Sequence, residues 1–283
     1  LPSPLRMKLV VQIPCLNEEA TLPAALKAIP RSIEGISEVR ILVIDDGSSD
    51  RTREVAIAHG ADHVVRFTRH KGLASGFMAG LDAALKLGAD IIVNTDADNQ
   101  YPGSEIPRLI APILKGEADM TIGDRQVSEV AHFSWTKQRL QVLGSWVVRK
   151  VSGTDVPDTT SGFRGLSREA ALRINIVSEF TYTLESIIQA GKKRLAIAHM
   201  PIEAKHTRPS RLFGSTGEYV KRSVATILRI YAMYEPFKVF MILGGLLFSA
   251  GAILGLRYAY FWWQGAITGH FQSAILSVLL LIL

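Results

Sequence analysis

The chain has 283 residues, enough for one large domain or two smaller ones, and it carries a formal net charge of +6. The positive charge favours an anionic partner such as a nucleotide, a phospholipid surface or a nucleic acid. A lone cysteine, Cys15, excludes an internal disulfide framework and any metal site made of several cysteines. Its position beside an apolar strand predicts a small buried residue.

The first part of the chain predicts strands that alternate with helices. Apolar runs predict strands at 9–13, 39–44, 63–67 and 91–95. A helix capped by Thr21 follows the first strand, and further helices are predicted at 51–59, where the preceding Ser and Asp residues can provide the cap, and at 72–87. Such alternation is typical of a parallel sheet, in which ligands bind at the carboxyl ends of the strands.

Three of the predicted strands end in acidic residues. Glu18 follows the first strand, Asp45 and Asp46 follow the second, and Asp96 and Asp98 follow the fourth. Two carboxylates one residue apart can hold a divalent cation together with substrate phosphate oxygens. Taken alone, an Asp-x-Asp is more often a helix cap or a solvated turn. The loop after the first strand lacks Gly-x-Gly-x-x-Gly, which disfavours an oxidoreductase that binds a dinucleotide.

Three segments together resemble the donor-site motifs of family 2 glycosyltransferases. They read PCLNE at 14–18, VIDDGSSD at 43–50 and DADNQ at 96–100, in the order and approximate spacing of the family. The resemblance covers about residues 8–212 and implies an α/β fold of the GT-A type. In this fold a Rossmann-like, mainly parallel sheet with flanking helices binds a nucleotide sugar through a divalent metal.

The resemblance also implies roles for individual residues. Glu18 and Asp46 would hold the nucleoside, with Asp45 close by, and Asp96 would face the ribose or the diphosphate. The full nucleotide-sugar site would contain Pro14, Asn17, Glu18, Asp45, Asp46, Asp96, Ala97 and Asp98. Asp98 and Gln100 would hold the metal, Mg²⁺ or Mn²⁺.

Arg125 completes the predicted catalytic set with Asp96 and Asp98. It follows the predicted strand 120–122, and its guanidinium suits the oxygens of a diphosphate. The alternative is a surface arginine that pairs with Asp124.

The segment DTTSGFR at 158–164 resembles the Asp-x-x-Ser-Gly-Phe stretch of polyprenyl-phosphate sugar transferases. Residues 179–185 resemble the acidic segment of that group, and 207–212 resemble its basic segment, although shorter and without the glycine. We therefore expect an acceptor phosphate to be held by Arg208 and Arg211, helped by Ser161 and Arg164. The Gln-x-x-Arg-Trp motif of processive polysaccharide synthases is absent from the sequence.

The C-terminal part predicts membrane association. A basic and aromatic helix is predicted at 132–151, either solvated or lying on a bilayer, and an amphipathic surface helix at 217–234. Residues 239–256 are 18 residues without a charge, at the threshold for a transmembrane helix, and aromatic residues follow them. The apolar run 274–283 is too short to span a membrane by itself, so either the chain continues past Leu283 or this segment does not span alone. The predicted organisation is a catalytic domain at 1–212, a surface helix at 213–235 and a transmembrane hairpin at 236–283.

The sequence thus predicts a membrane enzyme, multi-pass, with its catalytic domain in the cytoplasm. It would transfer one sugar from a UDP- or GDP-sugar to a polyprenyl phosphate, with inversion at the anomeric carbon, and would not bind nucleic acid. Two alternatives remain open: a family 2 transferase that acts on a glycolipid or sugar hydroxyl, and a nucleotide-sugar-binding membrane scaffold without turnover. Whether the protein forms a homo-oligomer also remains open.

Overall fold

A computed structural model describes residues 7–126, 135–178, 181–204, 216–265 and 271–282. The chain divides into two compact units, residues 1–227 and 228–283. The division falls inside one long helix, so the predicted boundary at 235 does not coincide with it.

The first unit contains a seven-stranded sheet in the order β3-β2-β1-β4-β6-β5-β7. Its strands are β1 (Met7–Cys15), β2 (Ile36–Asp45), β3 (His63–Arg66), β4 (Ile91–Asn94), β5 (Met120–Asp124), β6 (Arg164–Ser167) and β7 (Ile197–Pro201). All four strands predicted in the first part of the chain are present. The sheet is mainly parallel, as predicted, because only β6 runs antiparallel to both of its neighbours, β4 and β5.

Helices cover both faces of the sheet. They are α1 (Leu22–Ala28), α2 (Thr52–Ala58), α3 (Leu73–Lys86), α4 (Ile106–Leu114), α5 (Trp135–Ser152), α6 (Arg168–Arg173) and α7 (Thr183–Lys192), with a short 3₁₀ turn at Gly103–Glu105. The central strands are continuous apolar runs, since both of their faces lie in the core. One face packs on α1, α2 and α4, and α3 covers the other, where Gly76 and Gly80 lie against Ile44.

Of the two predicted helix caps, one is absent and one is present. Thr21 stands at the N-cap of α1, but its hydroxyl donates to the Glu18 carboxylate at 2.7 Å and caps no backbone amide. At α2 the N-cap residue Arg51 makes no side-chain cap, but Asp50 before it accepts from the Thr52 amide at 3.0 Å, as predicted for an acidic residue in this loop. At α1 a loop carboxylate competes for the hydroxyl that would make the cap.

The remaining helices are α8 (Thr216–Tyr234), α9 (Pro236–Trp263) and α10 (Phe271–Ile282). Among the described residues, α9 is the one helix long and apolar enough to cross a membrane, and α10 is apolar but shorter. Within the second unit α9 and α10 pack together where Gly251 and Gly255 meet Ser277. The Ser277 hydroxyl donates to the Gly251 carbonyl at 2.7 Å.

Candidate active site

The predicted donor residues lie at the end of the sheet where the parallel strands have their carboxyl ends, here called the carboxyl edge. The parallel register places Cys15 opposite Asp45, and Gln12 opposite Asn94, so β1, β2 and β4 end side by side. Because β6 is antiparallel, the loop that precedes it arrives at the same edge. Four chain segments distant in sequence therefore meet there.

The loops after β1 and β2 are bonded to each other. Asn17 has a left-handed backbone with φ of 55°, and its amide donates to the Ser48 hydroxyl at 3.0 Å. Its side-chain oxygen accepts from the Ser49 amide at 2.9 Å, and the Glu18 amide donates to Thr52 Oγ1 at 2.8 Å. Asparagine tolerates this backbone conformation better than most residues. The predicted motifs PCLNE and VIDDGSSD thus form one rigid rim.

Asp45 and Asp46 are both turned into the protein. Asp45 has no exposed surface; it accepts from the Ser48 amide at 2.8 Å and lies 3.2 Å from Arg66 Nε. Asp46 accepts from the amides of Lys71 and Gly72 at 2.7 and 2.9 Å and from His70 Nδ1 at 2.8 Å. Asp45 thus fixes the turn at Ser48, and Asp46 fixes the loop 70–72.

Gly47 lets that loop approach closely. Its φ is +73°, and a Cβ there would lie 2.7 Å from the backbone of Arg69 and His70. Only glycine fits both the conformation and the space.

The loop after β4 carries the predicted metal ligands. Asp98 is partly buried and accepts from the Gln100 amide at 3.0 Å through one carboxylate oxygen. Asn99 between them is left-handed, with φ of 57°, and its buried side-chain oxygen has no hydrogen-bond partner in the described part of the chain.

Asp96 lies beside Gly162, the glycine of the DTTSGFR segment. A Cβ on Gly162 would stand 3.1 and 3.2 Å from the two Asp96 carboxylate oxygens and 3.0 Å from the Tyr182 hydroxyl. The Asn94 side chain donates to the Gly162 carbonyl at 2.9 Å and to the Tyr182 hydroxyl at 2.8 Å. On the other side of the glycine, its amide donates to the Tyr101 hydroxyl at 3.2 Å.

Both tyrosines remain neutral at physiological pH. Burial raises the pKa of Tyr101 to about 12, and burial likewise raises the pKa of Tyr182 well above its usual value, with the Asp96 charge adding to both shifts. Their hydroxyls therefore keep their protons beside the carboxylate. Burial also raises the pKa of Cys15, which is 2% exposed, so its thiol stays neutral and the prediction of a buried residue is confirmed.

Arg125 pairs with Asp158 rather than with Asp124. Its Nε and Nη2 donate to the two carboxylate oxygens at 2.7 and 3.0 Å, and Nη2 also donates to Thr160 at 2.7 Å. The Asp158 side chain is 2% exposed. Burial alone would raise the pKa of this carboxyl, but the guanidinium outweighs burial and holds the pKa below its ordinary value.

Two of the four predicted acceptor residues lack the exposure that contact with an acceptor needs. Arg164 and Ser161 have no exposed surface. The Arg164 guanidinium donates to the carbonyls of Thr159 and Thr183 at 3.1 and 2.8 Å and also bonds the Ser186 hydroxyl. This prediction is corrected: Arg164 ties the 158–161 loop to the start of α7. The other two, Arg208 and Arg211, lie outside the described residues.

Sequence reasoning missed the polar groups beneath the edge. Asp158 lies in the DTTSGFR segment, but the sequence assigned it no role. Asn94, Tyr101 and Tyr182 were not predicted as site residues. Asn94 carried the clearest signal, because a polar residue within a short buried strand requires an internal partner. It finds three, since its side-chain oxygen also accepts from Gln12 at 2.9 Å.

The residues of the DADNQ loop fit a divalent cation. In the described part of the chain no group of three or more His, Cys, Asp or Glu side chains is placed to bind a metal ion. An incomplete set is what Mg²⁺ and related ions use beside a substrate diphosphate, whose oxygens fill the other positions. The Asp98 carboxylate and the unpartnered Asn99 oxygen supply hard oxygen donors in that loop.

Comparison with known proteins places the chain among glycosyltransferases. Residues 10–174 match the model of glycosyl transferase family 2. An uncharacterized glycosyltransferase of Mycobacterium tuberculosis is 36% identical over 182 residues, covering 64% of this chain and 78% of that protein. The polyprenol monophosphomannose synthase of Mycolicibacterium smegmatis is 33% identical, covering 61% and 66%. The dolichol-phosphate mannosyltransferase of Pyrococcus furiosus is 28% identical over 256 residues, covering 87% and 71%.

A solved structure shares the fold. Glucosyl-3-phosphoglycerate synthase from Mycobacterium tuberculosis, crystallised with Mn²⁺, UDP and glucosyl-3-phosphoglycerate, superposes with a TM-score of 0.62 at 24% identity, over 80% of each chain. That complex contains the kind of metal and nucleotide that the sequence predicts for this fold. With the motifs PCLNE, VIDDGSSD and DADNQ assembled at one sheet edge, the chain belongs to glycosyl transferase family 2.

Proposed function

We propose that this protein transfers one sugar from a UDP- or GDP-sugar to the phosphate of a polyprenyl lipid. One observation carries the proposal: the match to the dolichol-phosphate mannosyltransferase covers 87% of this chain. A match of that length extends beyond the family model, past α8 and into α9. The likeness to an enzyme named for a polyprenyl-type phosphate acceptor thus includes part of the helix that can span a membrane.

The donor would lie along the carboxyl edge. Pro14, Asn17 and Glu18 on the rim would meet the nucleoside, with Asp96, Ala97 and Asp98 toward the diphosphate. Asp45 and Asp46 would act through the loops that they hold, since their carboxylates are bonded internally. Arg125, fixed by Asp158, would place positive charge at the diphosphate.

Asp98 and Gln100 would hold the metal. When bound, a divalent cation acts as a Lewis acid that offsets charge on the leaving nucleoside diphosphate. The protein's own task there is to present an oxygen donor at a fixed place, and the hydrogen bond from the Gln100 amide to Asp98 restrains that carboxylate.

The proposed acceptor needs little activation by the protein. A phosphate monoester has a second pKa of about 6, so it is largely a dianion at neutral pH and already nucleophilic. Its oxygen would attack the anomeric carbon from the face opposite the nucleoside diphosphate, forming the new C–O bond as the old one breaks and inverting the configuration. The enzyme then has to hold the phosphate in line, and Arg208 and Arg211 are the proposed contacts because arginine binds phosphate through paired donors.

The apolar C-terminal helices would anchor the enzyme. We propose that α9 spans the bilayer and that α10 belongs to a second, returning span. The contact of Gly251 and Gly255 with Ser277 supports this hairpin, because small residues allow membrane helices to approach closely. The catalytic unit would then face the cytosol, where nucleotide sugars are made.

The test is transfer by the purified protein in neutral detergent. Labelled UDP- and GDP-sugars are offered with Mn²⁺ and either a polyprenyl phosphate or the matching polyprenol, which lacks the phosphate. We expect label to enter the lipid phosphate alone. Transfer to the polyprenol or to a glycolipid instead would favour a hydroxyl acceptor, and neither transfer nor donor hydrolysis would favour a scaffold.

The proposed role of Arg208 and Arg211 at the acceptor phosphate is tested by substitution. Arg208→Ala and Arg211→Ala should lower transfer to the lipid phosphate while leaving metal-dependent nucleotide binding intact. Unchanged transfer by both variants in neutral detergent would place the acceptor site elsewhere.

A further inference from the structure

The floor of the site beneath Asp96 is the backbone of Gly162, which is hydrogen-bonded through both its amide and its carbonyl. Its carbonyl accepts from Asn94 at 2.9 Å and from the Tyr182 hydroxyl at 3.3 Å, and its amide donates to the Tyr101 hydroxyl at 3.2 Å. Tyr182 and Tyr101 are 1% and 3% exposed, so these bonds form away from water. A buried network with its polar groups satisfied is rigid.

The rings that carry the hydroxyls are themselves fixed. Tyr182 stacks on Phe77 of α3, with ring centroids 4.0 Å apart, and the Arg164 guanidinium lies over the Tyr182 ring at 5.6 Å. Tyr101 stacks on Phe163 with centroids 5.3 Å apart. The network therefore connects α3, the DADNQ loop, the loop before β6 and α7.

At Gly162 limited space, and not backbone conformation, disfavours a side chain. The φ of Gly162 lies outside the left-handed region, yet a Cβ would come within 3.2 Å of both Asp96 oxygens and 3.0 Å from the Tyr182 hydroxyl. Contacts this short force a neighbour to shift. The Asp96 carboxylate thus lies directly against the hydrogen-bonded backbone of Gly162.

We infer that Tyr182 is a positioning residue: through the backbone of Gly162, its hydroxyl sets where the Asp96 carboxylate stands toward the donor nucleotide. Asn94 supports it, because its amide group bonds the hydroxyl and the same carbonyl together. The inference rests on the proposed role of Asp96 at the donor, and it adds the N-cap residue of α7, which would touch neither the nucleotide nor the metal.

The first test is nucleotide binding, measured by calorimetry with UDP and with GDP in the presence of Mn²⁺. Tyr182→Phe removes one oxygen and keeps the stacked ring. We expect it to weaken binding about 10-fold, the usual cost of losing a group that orients a ligand. Gly162→Ala should weaken binding at least as much, because the added methyl displaces Asp96.

A control separates positioning from general stability. Ile188→Val removes one methyl from a fully buried apolar side chain of α7 and leaves the hydroxyl of Tyr182 in place. It should lower the melting temperature without changing nucleotide affinity. If Ile188→Val weakens binding as much as Tyr182→Phe does, the effect is one of stability and the inference is overturned.

The deciding measurement is a double-mutant cycle with Asp96→Asn. If Tyr182 acts through Asp96, the double variant binds no more weakly than Asp96→Asn alone. If the losses of affinity of the two single variants multiply in the double variant, or if Tyr182→Phe binds with unchanged affinity, the inference is overturned and the proposed function stays in place. Failure of the wild-type protein to bind either nucleotide with Mn²⁺ would instead refute the proposed function, and this inference with it.

Discussion

Asp98 is the residue whose loss should damage activity most, because it is the proposed carboxylate ligand of the metal. We expect Asp98→Ala to lower sugar transfer by about 100-fold or more, without rescue by excess Mg²⁺ or Mn²⁺. The fold should survive, since the residue lies in a loop. Transfer rates measured beside circular dichroism spectra check both expectations.

The matched control is Asp82→Ala on the exposed face of α3, where the carboxylate pairs with Lys86. That variant should transfer sugar at the wild-type rate. Normal turnover by Asp98→Ala, or by the wild type in chelator, would contradict metal dependence.

The buried pair of Arg125 and Asp158 predicts an acid-sensitive contribution to stability. Asp158→Asn leaves the guanidinium without its countercharge and should lower the free energy of unfolding by about 3–5 kcal/mol at neutral pH. The folded pKa of Asp158 lies below its unfolded value of about 3.9, so the stabilisation is present above that pH and is lost as pH falls through the folded pKa. Denaturant unfolding between pH 7 and pH 3 should therefore show the wild-type advantage shrinking below about pH 4.

The exposed Glu169, paired with Arg173 on α6, provides the comparison. Glu169→Gln should change stability little at any of these pH values. A wild-type advantage over Asp158→Asn that stays constant down to pH 3 would argue against a charged pair.

At the residue scale, the sequence predicted where the functional groups gather but not which of them face outward. Asp46 and Arg164 belong to motifs that meet at the right edge, yet both are bonded internally. Most of their partners, the amides of Lys71 and Gly72 and the carbonyls of Thr159 and Thr183, are backbone groups set by tertiary structure. No side-chain pattern encodes such contacts.

At the scale of elements, strand β6 escaped prediction for a physical reason. It contains only four residues, RGLS, with neither an apolar run nor a clear alternation. A buried arginine and a glycine at its start do not suggest a central strand, because Arg164 finds its partners only in the folded protein. Most of the strands and helices with strong apolar periodicity were predicted, with ends that differ by a few residues, but α4 was not, although Ile106, Leu109 and Ile113 recur at helical spacing.

The α9–α10 contact gives a prediction for these two helices. Gly251→Val should separate them, because even a Cβ at this position would lie 3.0 Å from the Leu281 side chain. Gly244→Val, on the same helix with open space around it, should be tolerated. Thermal unfolding of both variants in detergent, followed by circular dichroism, should show a lower melting temperature for Gly251→Val alone. Equal melting temperatures would mean that the contact adds nothing to stability.

At the scale of the whole molecule, charge predicts the orientation in the membrane. Basic residues before the first proposed span outnumber those shortly after it: Lys221, Arg222, Arg229 and Lys238 against Arg257. The bias toward positive charge on the cytoplasmic side places the catalytic unit there. A topology reporter fused after Trp263 should appear on the opposite side, and one fused before Met7 should remain in the cytosol. A cytosolic signal from both fusions would refute the proposed orientation.

The reversed strand β6 has a consequence for the way the protein is made. In the sheet β6 stands between β4 and β5, but it is synthesised after both. A nascent chain can therefore assemble β1 to β4 before β6, the strand that joins β5 to β4, has been made. The side of β4 that will pair with β6 stays unpaired until residues 164–167 leave the ribosome. Insertion of β6 closes that edge and brings the loop with Asp158 to Arg125. We therefore expect a chain halted before residue 164 to hold all three donor motifs but to lack β6, to aggregate readily through β4 and to have no activity.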